Sequence, residues 1–333
     1  MTAEPVTTQP VTAEPVTADP VTAQPVTAGH AVVLGGTGWV GRHVCAAFAR
    51  HGYKVTVVAR HRAPHLAGHA FQPCDLATAT PGAIEELLRS ERTDVVVNAT
   101  DAANAADGWD RTEADLTLMN VDSVERLLTA VGRLPWEPRL VQIGTVHEYG
   151  PVVGLIGESV EPRPANAYAR TKLQGSEAVL DAARAGSVRG VVLRLANVCG
   201  PHPSPASFPG KLLDSLRRAA AGEHVSLTVA DAHRDFLDVR DAAEAALLAA
   251  RATVTGTAIN LGSGVAVSMR ELVTQFLAVT GLPATAVSVR DAPVPSLGGD
   301  WTQVDVEPAR RLLGWRPRTD LRRSLQAMWE ARG

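Results

Sequence analysis

Apolar residues in this chain gather in short runs, and polar stretches with helical spacing separate them. The first run is Ala-Val-Val-Leu at 31–34; others lie at 54–59, 94–98, 140–144 and 191–195. Runs this short, rich in valine and leucine and bounded by turn residues, predict strands buried on both faces. Apolar positions recurring every three or four residues predict helices over 42–50, 82–91, 112–132 and 165–185. Strand alternating with helix builds a parallel sheet covered on both sides, so the expected fold class is α/β. Helical patterns at 208–222, 269–280, 308–314 and 321–331 come without regular strand partners. They predict a smaller, mostly helical C-terminal lobe closing over the sheet's carboxyl edge.

The N-terminus breaks this pattern. Residues 4–28 repeat a pentapeptide five times, as EPVTT, QPVTA, EPVTA, DPVTA and QPVTA. Proline at every fifth position forbids helix and blocks continuous strand pairing, and the repeat has little apolar surface to bury. The expectation is a disordered tail over 1–29. The rest of the 333 residues, 45% hydrophobic and 20% charged, is long enough for one two-lobed domain or two domains. A net charge of −3 leaves no electrostatic footprint for nucleic acid or an anionic membrane. No apolar run is long enough to span a bilayer and no signal-peptide core precedes the fold. Cys45, Cys74 and Cys199 have no metal-ligand spacing, so no metal site is expected, and they suit a reducing, cytoplasmic location.

Candidate chemistry starts where the first strand ends. Gly35-Gly36-Thr37-Gly38-Trp39-Val40-Gly41 lies between that strand and a helix, the context a phosphate-binding turn requires. Gly35 permits the tight turn, Gly38 lets backbone approach a pyrophosphate, and Gly41 allows the helix to pack closely on the strand. This makes the sheet Rossmann-type and doubly wound. The dinucleotide-binding domain is expected over 30–200 with about 235–262, and the substrate lobe over 201–234 and 263–333. Arg60 follows the second strand, where an acidic residue would grip the ribose 2′-hydroxyl of NAD. Arg60, helped by Arg62, cannot accept that proton but can pair with a 2′-phosphate, so the expected cofactor is NADP(H).

A second feature uses scarce residue types. The chain holds three tyrosines and three lysines against 29 arginines, yet Tyr168 and Lys172 stand four apart. Four residues apart on a helix is one face. An ammonium about 4 Å from a phenol, at an effective dielectric near 20, favours phenolate by about 4 kcal/mol. The spacing therefore predicts a Tyr168 hydroxyl depressed by about three pKa units, close to 7, where proton transfer is efficient. An exposed helix carrying the two residues incidentally is the alternative.

With GGTGWVG at 35–41, YARTK at 168–172, LRLANVCGP at 193–201, RDFLDVRDAA at 234–243, NLGSG at 260–264 and LGWRP at 313–317, the chain resembles the extended short-chain dehydrogenase/reductase family, in its nucleotide-sugar branch. The resemblance runs from about Ala31 to Gly333. It implies that Asp75 and Leu76 contact the adenine end of the cofactor, with Asn98, Ala99, Thr100, Asn120 and Leu195 also on the cofactor side. It implies a catalytic Thr145 in IGTVHEYG (143–150), proton transfer by Tyr168, and a Lys172 that holds the nicotinamide ribose. Asn197 and Arg234 match positions that bind the substrate's phosphates. Each has a plain alternative: a strand-end hydroxyl, a turn residue, a surface ion pair.

Departures narrow the chemistry. Sugar-nucleotide dehydratases carry Asp and Glu directly after the catalytic threonine; this chain carries Val146 and His147, and valine cannot move a proton. Glu148 falls in the neighbouring slot, which strand alternation would turn away. Cys199 reads as a small packing residue. The resemblance implies an NADPH-dependent ketoreductase acting at C4 of a dTDP-linked 6-deoxyhexose, in deoxysugar biosynthesis for antibiotic glycosylation. An NAD-dependent nucleotide-sugar 4-epimerase and a non-catalytic NADP-sensing regulator stand as alternatives. It also implies a homodimer built on helices 112–132 and 165–185, with Leu116, Val124, Leu127 and Leu128 divided between core and interface.

Overall fold

The computed structural model describes residues 29–101, 111–152, 154–292 and 300–331. The repeat tail over 1–28 lies outside the described residues. The order opens with β1 (His30–Leu34), α1 (Trp39–Arg50), β2 (Lys54–Ala59), β3 (Ala70–Pro73), α2 (Pro81–Ser90) and β4 (Val95–Asn98). It continues through α3 (Glu113–Thr117), α4 (Ser123–Gly132), β5 (Arg139–Thr145), β6 (Leu155–Ile156), α5 (Ala167–Arg184) and β7 (Arg189–Leu195). Then come β8 (Asn197–Cys199), α6 (Phe208–Ala220), β9 (Val225–Ala230), β10 (His233–Asp238), α7 (Val239–Arg251) and β11 (Ala258–Leu261). The last elements are β12 (Ala266–Ser268), α8 (Met269–Thr280), β13 (Val287–Ala292), β14 (Gln303–Val304), α9 (Glu307–Leu313) and α10 (Leu321–Glu330).

Seven strands form a parallel sheet in the order β11-β7-β5-β4-β1-β2-β3. The side-chain period of two assigns each strand residue to one face. In β1, Ala31 and Val33 enter a core with Val44 and Phe48 of α1 and the alanines of α7. Val32 and Leu34 enter the opposite core with Ile84 and Leu88 of α2, Val124 and Leu127 of α4, and Val179 and Leu180 of α5. Burying each such side chain contributes roughly 1.5–3 kcal/mol, which explains why the strands read as unbroken apolar runs.

A third core joins α6, α8 and α10 to β9, β10 and β13, through Leu216, Phe276, Met328, Val229 and Phe236. Short strands accompany these helices: β12-β10-β8 form one small sheet, and β13 pairs with β9. They run three to six residues with mixed burial, which left no apolar run to read. Among the described residues no helix is long and apolar enough to cross a membrane.

Three elements differ from expectation for local reasons. Helix α1 begins at Trp39 rather than 42, because extended Gly38 starts it and Gly41 already lies in its first turn. The helix expected over 112–132 is split by a π-turn at Leu118–Asp122. That turn carries Asn120, whose carbonyl oxygen would stand 2.1 Å from a Cβ on Gly175, so α5 crosses there at contact distance. Helix α7 escaped the periodicity reading because its buried face is mostly alanine. Of the positions offered for a dimer interface, Leu116 is buried against Tyr168, Val124 and Leu127 are buried in the core under α2 and α4, and Leu128 is half-buried against that second core.

Candidate active site

The direction of winding reverses between β1 and β4, which pair with Leu34 opposite Asn98. In such sheets the crevice beyond the carboxyl ends at the reversal point receives the ligand. The glycine turn occupies it. Gly35 adopts φ +71°, and a Cβ there would lie 2.8 Å from the Ala99 oxygen. A Cβ on Gly41 would lie 2.2 Å from the Gly35 oxygen, so no other residue lets the turn fold under α1. No side chain caps α1, which leaves its first-turn N–H groups directed at the crevice as an anion site. Trp39 Nε1 donates to the Pro201 oxygen at 3.0 Å, fixing the helix start against the segment after β8. This cradle of backbone N–H groups, closed to any Cβ, fits the pyrophosphate of a dinucleotide.

Arg60 follows the strand that borders the turn, and Arg62 lies two residues further on. Val58 accepts a hydrogen bond from Gly35 N at 2.9 Å, and Arg60 follows two residues later, exposed at the sheet's carboxyl edge. Arg62 stacks over the Phe71 ring at 5.1 Å. Arg42, which sequence reasoning passed over, adds a third cation: burial and then Arg42 lower the pKa values of His65 and His202. The Asp75 carboxylate accepts from Ala77 N, and Arg126 donates to the Leu76 and Ala77 oxygens, which holds the turn after β3 with Leu76 buried. Asn98 donates to Gln142 and accepts from Thr100, tying the end of β4 to β5. Thr37, Val40, Ala99 and Thr100 are half-buried around the turn, and Leu195 is buried at the end of β7.

Two of the proposed proton-transfer residues, Thr145 and Lys172, lie at the end of β5, and the third, Tyr168, reaches the segment just past β4. Thr145 is its last residue, buried, with its hydroxyl accepting from His147 N. Helix α5, capped by Asn166, delivers Tyr168 and Lys172 from its first turns, 8% and 5% exposed. The Lys172 ammonium donates to the Ile143 oxygen at 2.9 Å, two residues before Thr145. Asn120 Nδ2 donates to Thr171 Oγ1, pinning the π-turn to the same helix.

The expectation of a phenol near 7 is corrected here. Tyr168 lies well above the usual tyrosine value, first because burial penalises phenolate, then because Asp101 stands beside it. The phenol donates to Asp101 Oδ2 at 3.1 Å. The i, i+4 spacing is present, but a carboxylate from the end of β4 holds the hydroxyl while a backbone carbonyl engages the ammonium. Sequence reasoning missed Asp101, whose only signal is an acid three residues past Asn98.

Glu148 is turned away from the crevice, though by a different device than strand alternation. Residues Val146–Tyr149 form a 3₁₀ turn. The turn buries Glu148 completely, where it accepts from Thr145 N at 3.0 Å, Ser176 Oγ at 2.9 Å and Arg194 Nε at 2.7 Å. Gly144 makes room, since a Cβ there would lie 2.7 Å from the Glu148 carboxylate. His147, in the same turn, lies within electrostatic range of Arg234 and Asp101: burial, then Arg234, lower its pKa to about 4 against a raising influence from Asp101, so it is neutral at neutral pH.

Arg234 is buried on β10 and donates to the His233 oxygen. Its influence on His147 places it within electrostatic range of the turn that follows Thr145. Asn197, half-buried on β8, donates to the Asp235 oxygen at 3.4 Å. Burial pushes the Cys199 thiol up to about 12, as a packing residue requires. Among the described residues no group of His, Cys, Asp and Glu is arranged to hold a metal ion.

Sheet order, reversal-point turn and helical Tyr–Lys pair together define a short-chain dehydrogenase/reductase of the extended type. The model of the NAD dependent epimerase/dehydratase family matches residues 31–262, and the chain belongs to that family. It is 38% identical over 307 residues to the dTDP-6-deoxy-L-talose 4-dehydrogenase (NAD(P)(+)) of Kitasatospora kifunensis, covering 90% of this chain and 94% of the relative. It is 27% identical over 315 residues to a UDP-glucose 4-epimerase of Corynebacterium glutamicum, with 90% and 94% covered. The structure of MoeE5 in complex with UDP-glucuronic acid and NAD superposes with a TM-score of 0.78 at 27% identity, over 91% of this chain and 98% of that one.

Proposed function

We propose that this protein is an NADP(H)-dependent ketoreductase that reduces a keto group, at C4, of a dTDP-linked deoxysugar. The observation that carries this reading is the joint burial of Thr145, Tyr168 and Lys172 at the carboxyl ends of β4 and β5, with valine at 146. That set can exchange hydride and proton at a carbinol carbon but lacks the acid–base pair that elimination needs. The substrate class is supported by the Kitasatospora relative, whose name puts the redox change at position 4 of a dTDP-6-deoxyhexose. Arg60 and Arg62 support the phosphorylated dinucleotide.

Bound at the turn, the reduced dinucleotide would supply the hydride. Thr145 and Tyr168 donate hydrogen bonds to the keto oxygen and stabilise the negative charge it gains. Tyr168 then gives up its proton; a phenol kept protonated suits a donor. Lys172, anchored on the Ile143 oxygen, would hold the nicotinamide ribose. Arg234 and Asn197 hold the diphosphate, so that binding remote from the reacting carbon orients it.

The test is to incubate the protein with dTDP-4-keto-6-deoxyglucose and follow NADPH by absorbance. One NADPH consumed per alcohol formed is expected. Tyr168→Phe should lower kcat by roughly 10²–10⁴-fold while NADPH binding, read by fluorescence, persists. The similarity to a UDP-glucose 4-epimerase favours a second reading, 4-epimerisation with a retained NAD. Stereochemical inversion with no net NADPH consumption would establish that reading and remove ours.

A further inference from the structure

Asp101 has no part in the reaction as written above, yet it is the described side chain that the Tyr168 hydroxyl reaches. The phenol is buried and its hydroxyl donates to Asp101 Oδ2 at 3.1 Å, while Asp101 is exposed just past the end of β4. One hydrogen bond therefore joins a buried proton donor to solvent. Among the described residues, the other charged or titratable groups near the phenol are differently engaged. Lys172, on the same helix, is held by the Ile143 oxygen. Glu148, in the turn after β5, is paired with Arg194. His147, in that same turn, is kept neutral at neutral pH by burial and then by Arg234 from β10, against a weaker pull from Asp101 itself.

We infer that Asp101 is a positioning residue that keeps the Tyr168 hydroxyl protonated and aimed between turnovers and passes solvent protons to it. The inference rests on the ketoreductase reading for its place in the cycle. Hydride with its electron pair, from the reduced nicotinamide, adds to the keto carbon, and the carbonyl π pair moves onto oxygen. That oxygen takes the Tyr168 proton as the phenolic O–H bond breaks. The phenolate takes a proton from solvent through the Asp101 carboxylate, so each carbonyl reduced draws one proton from water. An acceptor carboxylate disfavours phenolate by like-charge repulsion, so the donor is restored rather than left ionised.

The experiment compares full-length Asp101→Asn and Asp101→Glu with the parent in two measurements. The first is the alkaline phenolate absorbance assignable to Tyr168, obtained by subtracting the matching Tyr168→Phe curve, with no substrate present. The second is the pH profile of kcat/KM for keto-sugar reduction. Removing the negative charge should move the Tyr168 titration down by at least about one pH unit. The basic limb of the reduction profile should move down with it, and Asp101→Glu should restore both. An unmoved titration, or a kcat/KM loss equal at every pH, would overturn the inference. The titration needs no turnover: a shifted phenol in a protein that reduces no keto-sugar leaves this pairing standing and removes the ketoreductase reading.

Discussion

Arg60 illustrates how far one residue can be read. Its place after β2 was legible because strand, glycine turn, helix and second strand follow at fixed spacing, and the register Leu34 to Val58 keeps that geometry. Exchanging it for an acid removes a cation that can pair with a 2′-phosphate and adds an acceptor for a 2′-hydroxyl. A charge-assisted hydrogen bond contributes about 1.5–3 kcal/mol, so Arg60→Glu should lower kcat/KM for NADPH by roughly 10–100-fold. NADH should gain relative to it. Steady-state kinetics with both cofactors check this, and an unchanged NADPH:NADH ratio would remove Arg60 from cofactor choice. Tyr168 shows the opposite case. Its spacing from Lys172 was visible, but burial first, and then Asp101, 67 residues away in sequence, raise its pKa. An i, i+4 rule contains only the local charge; the other was delivered by the sheet.

Among the elements, the strands that begin the fold were visible as short apolar runs because both faces are covered. What could not be read was the turn after β5, since alternation assumes a strand where the chain forms a 3₁₀ turn. Thr145 N and Ser176 give the Glu148 carboxylate neutral donors, and Arg194 gives the charged one. Arg194 also reaches the Tyr149 hydroxyl at 2.8 Å, and Tyr149 in turn bonds Asn260 on β11. The turn that presents Thr145 is thereby tied to α5, β7 and β11. Breaking a buried pair from one side leaves a desolvated charge, so Glu148→Gln should destabilise the protein by about 3–5 kcal/mol. Adding Arg194→Met to it should recover part of the loss. Urea denaturation of the single and double variants decides it: a Glu148→Gln protein as stable as its parent would mean the pair does not hold the turn.

At the scale of the whole molecule, two histidines lie between the seven-stranded sheet and the segments after β7. His43 of α1 bonds the Pro201 oxygen at 3.2 Å, and His147 feels Arg234 of β10. Burial lowers both to about 4, against 6.5 for a free side chain, with Arg42 adding to the effect at His43 and Arg234 at His147. The unfolded chain therefore binds protons that the folded chain refuses between about pH 6.5 and 4, and stability falls as acid is added through that window. Above it the two residues contribute no pH dependence. Each unit of separation corresponds to about 1.4 kcal/mol, before any discount for solvent reaching the rings. Asp238 works in a lower range: burial opposes its charge, but Arg240 and Ser324 hold its pKa below the ordinary carboxylate value, so its contribution is lost only at more acidic pH. The urea midpoint should be flat from pH 8 to about 6.5 and decline steadily below it. Replacing both residues, as His43→Gln with His147→Asn, should lessen that decline, leaving the smaller part contributed by His65 and His202 and any fall at still lower pH. A double variant with the parent's acid slope would show that neither ring is kept neutral by the fold, and that this region is not where acid opens the molecule.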